Sequence, residues 1–133
     1  MFTPWGISDS SERVAKGITF YGTPSHGGYK ISQERFDSMP EAFRNYKPFA
    51  KHLWYEEDCD WAIVRIAFNL DFIKNEGIDR ASETYTQAEN TLRNWNPDTW
   101  EAFFGRKLEP EESYKRRGGY KISQERFEKT IPE

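Results

Sequence analysis

The chain is poor in several things that would narrow its function at once. It holds one cysteine, Cys59, in 133 residues. No intrachain disulfide can form, and such usage suits a reducing cytoplasm. No apolar run nears the roughly 18 residues of a membrane span. Met1-Phe2-Thr3-Pro4-Trp5-Gly6 lacks both a basic start and an apolar stretch, which argues against a signal peptide. Charge of one sign is not in excess. The net charge is −3 with 31% charged residues, so no positive field on the scale of a nucleic-acid binder is expected. The spacings of a Walker loop, a dinucleotide fold or a zinc finger are missing. No cofactor and no metal are expected.

Leucine, isoleucine and valine are few, while aromatics reach 17%. An aromatic-rich core follows, with some aromatics left over as surface contact anchors. The chain also holds a repeat. Gly27-Gly28-Tyr29-Lys30-Ile31-Ser32-Gln33-Glu34-Arg35-Phe36 recurs letter for letter as Gly118 to Phe127. Ten residues cannot bury a core alone, so the repeat is not an architecture. It is either one local surface used twice or the scar of a duplication.

Local patterns predict a single α+β domain, a small antiparallel sheet packed against three or four helices. Residues 1–16 read as a loose N-terminal arm, residues 17–117 as the domain, and residues 118–133 as a segment repeating 27–36. Gly17 to Thr23 is β-rich. Thr23 to Gly28 carries turn chemistry, with Pro24 fixing φ and Gly27-Gly28 accepting positive φ. Tyr29-Lys30-Ile31 reads as the return strand. Ser32 caps a short helix over 33–37, and Pro40 opens another at its N1 position. The stretch 62–68 is apolar nearly all round apart from Arg65, which predicts a buried central helix over 58–69, with a buried strand as the competing reading. Ala81, Tyr85, Ala88, Leu92 and Trp95 form one face of a helix over 79–95. Asn96, Pro97 and Gly105 bracket a further helix. Leu108 to Arg117 is a charged connector.

Three motifs together form a known pattern: Thr23-Pro24-Ser25-His26-Gly27-Gly28-Tyr29-Lys30, Trp54-Tyr55-Glu56-Glu57-Asp58-Cys59-Asp60-Trp61-Ala62, and Leu92-Arg93-Asn94-Trp95 with Leu108-Glu109-Pro110. The chain resembles a small uncharacterised domain family encoded on bacterial plasmids, phages and other mobile elements. The resemblance covers roughly residues 5–117 and departs after Arg117, where the copied decapeptide stands. It implies an accessory gene of a mobile element and brings no activity.

Four constellations bear on chemistry. The acids Glu56, Glu57, Asp58 and Asp60 fit the first turn of a helix, where its dipole favours negative charge. The alternatives are a basic partner or a divalent cation. Cys59 at a helix N-terminus, with His26 as base and Asp58 to orient it, outlines a cysteine hydrolase; the competing reading is a small core cysteine. His52 is a second candidate base. Gly27-Gly28 reads as a turn rather than a phosphate cradle, because a strand follows rather than a helix. Lys115-Arg116-Arg117, with Arg106-Lys107, Tyr114 and Tyr120, reads either as a small nucleic-acid contact or as a solvated connector.

The expected function is that of a non-enzymatic interaction protein of a phage or plasmid. It would bind and modulate a host protein or nucleoprotein complex, as an inhibitor of a bacterial defence system of the anti-CRISPR or anti-restriction type. Its contacts would come from Tyr29, Trp54, Tyr55, Glu56, Glu57 and the repeated motif. The alternatives are the Cys59–His26 hydrolase and a nucleic-acid-binding accessory factor using Lys115, Arg116, Arg117 and Tyr120.

Overall fold

The computed structural model describes residues 1–117. The second decapeptide, Tyr120 and the rest of 118–133 lie outside the described residues. Six strands and six α-helices follow in order. They are β1 (Phe2–Thr3), β2 (Gly6–Ile7), β3 (Ser10–Ala15), β4 (Ile18–Gly22), β5 (Gly27–Ile31), α1 (Gln33–Ser38), α2 (Glu41–Arg44), β6 (Trp54–Glu56), α3 (Trp61–Ala67), α4 (Asn69–Glu76), α5 (Ile78–Trp95) and α6 (Pro97–Phe104). A 3-10 turn, Pro110–Glu112, and a helical turn over 114–117 complete the described chain. The fold is α+β, as the sequence patterns predict.

The main sheet is antiparallel with strand order β3-β4-β5-β6. Register sets Ile31 opposite Ile18, and Tyr29 opposite both Phe20 and Tyr55. Side chains alternate across a strand, so these residues share one face. Ile18, Ile31 and Tyr55 are fully enclosed, and each such burial is worth about 1.5–3 kcal/mol. Helices α3 and α4 lie against the sheet, and α5 packs on both. The rings interlock edge to face, Tyr29 on Phe20 at 5.1 Å and on Phe72 at 5.6 Å. The core is aromatic-rich, which makes up for the shortage of aliphatic residues.

The expectation of a loose arm over 1–16 is overturned. β3 pairs with β4 along its length, and the β1–β2 hairpin precedes it. Trp5 in the hairpin packs edge-on against Trp54 at 5.8 Å, and Tyr21 approaches Trp54 at 5.7 Å. These rings cover the second face of the sheet.

That covering also corrects the turn assigned to Gly27-Gly28. Both residues lie inside β5 and are buried. A Cβ on Gly28 would sit 2.5 Å from the Tyr55 carbonyl oxygen and 2.6 Å from the Trp5 ring. Glycine stands here for close approach, not for positive φ. The turn is made by Thr23 instead, whose hydroxyl donates to the His26 carbonyl at 2.7 Å and accepts from the His26 N–H at 3.0 Å.

The single helix expected over 58–69 is replaced by α3 and α4, broken at Phe68 (φ −117°, ψ 36°). The Phe68 ring is buried and carries the Arg35 guanidinium 5.1 Å from its centre. Ser32 caps α1 as expected, its hydroxyl accepting from the Arg35 N–H at 3.1 Å. α2 starts at Glu41, so Pro40 is its cap rather than its first residue. α5 and α6 fall where the apolar face and the Asn96-Pro97 and Gly105 signals put them, with Gly105 left-handed at φ 76°.

Candidate functional site

The acidic run is not helical. β6 ends at Glu56, and residues 57–60 form a turn before α3. The Glu56 carboxylate accepts from the Cys59 N–H at 2.7 Å and the Asp60 N–H at 3.3 Å. Asp60 accepts from the Tyr46 hydroxyl and from the Phe49 N–H at 2.9 Å. Glu56 and Asp60 are 8% and 1% exposed, and both acids hold the turn together. Glu57 and Asp58 point outward.

The hydrolase arrangement is not assembled. His26 Nδ1 lies 3.8 Å from a Glu57 oxygen, and no hydrogen bond among the described residues joins it to Cys59 or Asp58. Burial, then the carboxylates of Glu56, Asp60 and Asp58, push the Cys59 thiol up, with Lys115 a smaller opposing influence. An activated nucleophile needs the reverse shift. His52 contacts Gln33 Oε1 at 3.3 Å and packs edge-on against Phe36, and no hydrogen bond among the described residues joins it to Cys59. Among the described residues no group of three His, Cys, Asp or Glu side chains is placed to hold a metal ion.

Three expected contact anchors belong to the interior. Tyr29, Trp54 and Tyr55 are 8%, 6% and 0% exposed, because they fill the two covered faces of the sheet. Their places on the surface are taken by other aromatics. Phe49 is exposed, and so is Phe2 beside its strand partner Ile7. Trp95 and Tyr114 form a pair, with ring centroids 4.9 Å apart and exposures of 46% and 53%. Trp95 belongs to the apolar stripe of α5 by spacing, yet it sits in the last turn, beyond the buried Ala81, Ala88 and Leu92. The stripe alone does not distinguish it from those core residues.

The pair is held in place by polar contacts. Asn94 Oδ1 accepts from the Tyr114 N–H at 3.0 Å. Arg93 Nε donates to the Glu112 carbonyl at 2.8 Å, and its guanidinium meets Glu89 at 2.8 Å. The basic triplet is divided. Arg116 binds Glu101 at 3.1 Å and Asp98 at 2.6 Å. The Arg116 hydrogen bond first, and the Leu108 N–H second, hold the Glu101 carboxyl below its usual range. Arg117 donates to the Glu111 carbonyl at 2.7 Å and lies over the Tyr114 ring at 5.7 Å. Lys115 is exposed. Acids thus neutralise much of the positive field that a nucleic-acid contact would require.

A charged depression of about 550 Å³ opens beside the sheet between Glu12, Tyr29, Arg65, Phe72, Glu76 and Arg80. Arg65, the one charge of the apolar stretch, stacks on Phe72 at 3.9 Å and forms a bidentate pair with Glu76. Two acids face two bases, and the Arg65 pair reads as a structural tie between α3 and α4.

Among the described residues no helix is long and apolar enough to cross a membrane. Neither a curated protein nor a solved structure matches the chain. A family model does, and its match runs past Arg117 into the second decapeptide. The chain belongs to the family described as "Domain of unknown function (DUF7007)", whose model matches residues 1–126.

Proposed function

We propose that the chain is a non-enzymatic interaction protein that binds a host macromolecule through the Trp95–Tyr114 patch. The observation that carries the reading is the pair itself: two large aromatics, packed on one another and braced by Asn94 and Arg93, yet about half exposed. Aromatics of this kind supply binding energy at low entropic cost when they are already immobilised. Arg117 and Lys115 flank the pair, which favours an acidic surface on the partner. The resemblance to a mobile-element family supplies the setting, a phage or plasmid product acting on a host protein or nucleoprotein complex, with bacterial defence systems as the target class.

The pairing of His26 with Glu57 and the raised Cys59 thiol favour this reading over a hydrolase. The engagement of Arg116 with Glu101 and Asp98 favours it over direct nucleic-acid binding.

Photocrosslinking from position 114 in a bacterial host tests it. A photoreactive residue replacing Tyr114 should give one dominant adduct, and the same residue replacing Gln87 on α5 should not. Trp95→Ala should weaken the adduct strongly, since losing an anchor costs about 2 kcal/mol, or roughly 30-fold in affinity. Equal labelling from both positions would refute a specific contact here.

A further inference from the structure

The end of α2 and the loop that joins it to β6 gather positive charge. From Ala42 to Tyr55 the sequence holds Arg44, Lys47, Lys51 and His52 and no acid. All four are exposed. Elsewhere acids match bases: Arg35, Arg65, Arg93, Arg106 and Arg116 each meet a carboxylate. Among the described residues Arg44, Lys47 and Lys51 meet none. A chain of net charge −3 thus carries a basic surface here.

The same loop holds out an aromatic ring. Phe49, between Lys47 and Lys51, is 86% exposed, while Pro48 before it is buried. The backbone under the ring is fixed. The Phe49 N–H donates to Asp60 Oδ2 at 2.9 Å, and the Tyr46 hydroxyl donates to the same carboxyl. The Lys51 carbonyl accepts from the Trp54 N–H at 3.0 Å. Leu53 closes the loop at φ 75°, a left-handed conformation that a non-glycine residue keeps only where its surroundings impose it. Its carbonyl accepts from the Ile31 N–H of β5 at 3.0 Å. A ring on a backbone already fixed gives up little freedom on binding. A depression of about 320 Å³, lined by Phe36, Tyr46, Pro48 and the Phe49 ring, opens beside it and leaves room for a side chain from outside.

We propose that residues 44–52 form a second contact surface, which takes an acidic segment of a protein and sets an apolar side chain of that segment against Phe49. Charge complementarity fixes the sign of the partner, with carboxylates facing Arg44, Lys47 and Lys51. Two features select a protein over a nucleic-acid strand. Stacking of successive bases needs a series of open rings, and besides Phe49 the loop has only Tyr46, tied to Asp60, and His52, packed edge-on against Phe36. Tyr46 also leads on to a depression lined by Asp98, whose side chain is 97% exposed and repels a phosphodiester track running that way. The contact is separate from the Trp95–Tyr114 patch and stands without it.

Fluorescence anisotropy on the full chain, with a labelled peptide of repeated Glu-Glu-Phe units, tests this beside a Lys-Lys-Phe peptide and an oligothymidylate of similar length. The Glu-Glu-Phe peptide should bind best of the three, and more weakly as salt rises. Lys47→Glu with Lys51→Glu should weaken it by at least about tenfold, and Phe49→Ala several-fold. Lys16→Glu with Lys74→Glu makes the same change in net charge at two exposed positions on other elements and should leave binding unchanged. Every substituted residue is exposed, so each variant should melt with the parent. No binding of the Glu-Glu-Phe peptide, equal losses in the two charge-reversed pairs, full binding by Phe49→Ala, or tighter binding of the oligothymidylate would each overturn the proposal.

Discussion

Asp60 is 1% exposed and carries a carboxylate. Burial pushes its pKa up, while the hydrogen bonds from Tyr46 and Phe49 pull the other way without cancelling the rise. A carboxyl raised on folding adds stability that is full below its ordinary pKa and fades as pH climbs through the raised value. The carboxyl is kept because two donors depend on it. Removing it would strand the Tyr46 hydroxyl and the Phe49 N–H and loosen the segment 46–49 from the start of α3. Asp60→Ala should destabilise the fold by about 2–3 kcal/mol, since an orphaned buried donor costs about 1–3 kcal/mol. Urea unfolding checks this, and an unchanged midpoint would show that the two donors find other partners. At the same scale the limits of sequence reading are plain. Cys59, Asp58 and His26 are the right residue types for a hydrolase, but whether a thiol is raised or lowered depends first on its burial and then on the carboxylates around it, and both are set by the turn.

Among the elements, α5 and α6 were legible because their signals are local: an apolar stripe, Asn96 before Pro97, and Gly105 after the last turn. The Ser32 cap was legible for the same reason. The hairpin of residues 2–7 and the strand β3 were not. Their order comes from Trp5 meeting Trp54 and from β3 pairing with β4, and strand pairing is decided by tertiary context more than by propensity. Gly27-Gly28 misled in the same way, since the same two letters serve a turn or a tightly approached strand. A testable case at this scale is the 3-10 turn Pro110–Glu112. Glu112 bonds Arg106 at 3.0 Å and the Glu109 N–H at 2.8 Å. The Arg106 hydrogen bond, followed by the Glu109 N–H, lowers its pKa to about 2 from 4.5. A carboxyl lowered on folding stabilises above its unfolded pKa and loses that contribution as pH falls toward the folded value. Thermal melts should therefore show a loss between pH 4.5 and about 2 that is smaller in Glu112→Gln. Parallel curves for the two proteins would contradict the assignment.

For the whole molecule, the fold class was readable from the β-rich run, the short strand of the repeat and the two bracketed helices. The candidate site was not. Tyr29, Trp54 and Tyr55 look like contact anchors by type, but a chain short of aliphatic residues uses them to fill its interior. Trp95 looks like core by spacing, but the helix outruns the body that would cover it. Exposure is a property of the assembled fold, and neither periodicity nor composition reports it. The claim that rests on that assembly is contact with a host defence component through Trp95 and Tyr114. Phage plating on a host carrying a restriction or CRISPR system, with and without the expressed chain, tests it most directly. The chain should raise plating well above that of the same host without it. Trp95→Ala with Tyr114→Ala, at an unchanged melting temperature, should remove that protection. Full protection by the folded double variant, or none by the parent chain on any such host, would contradict it.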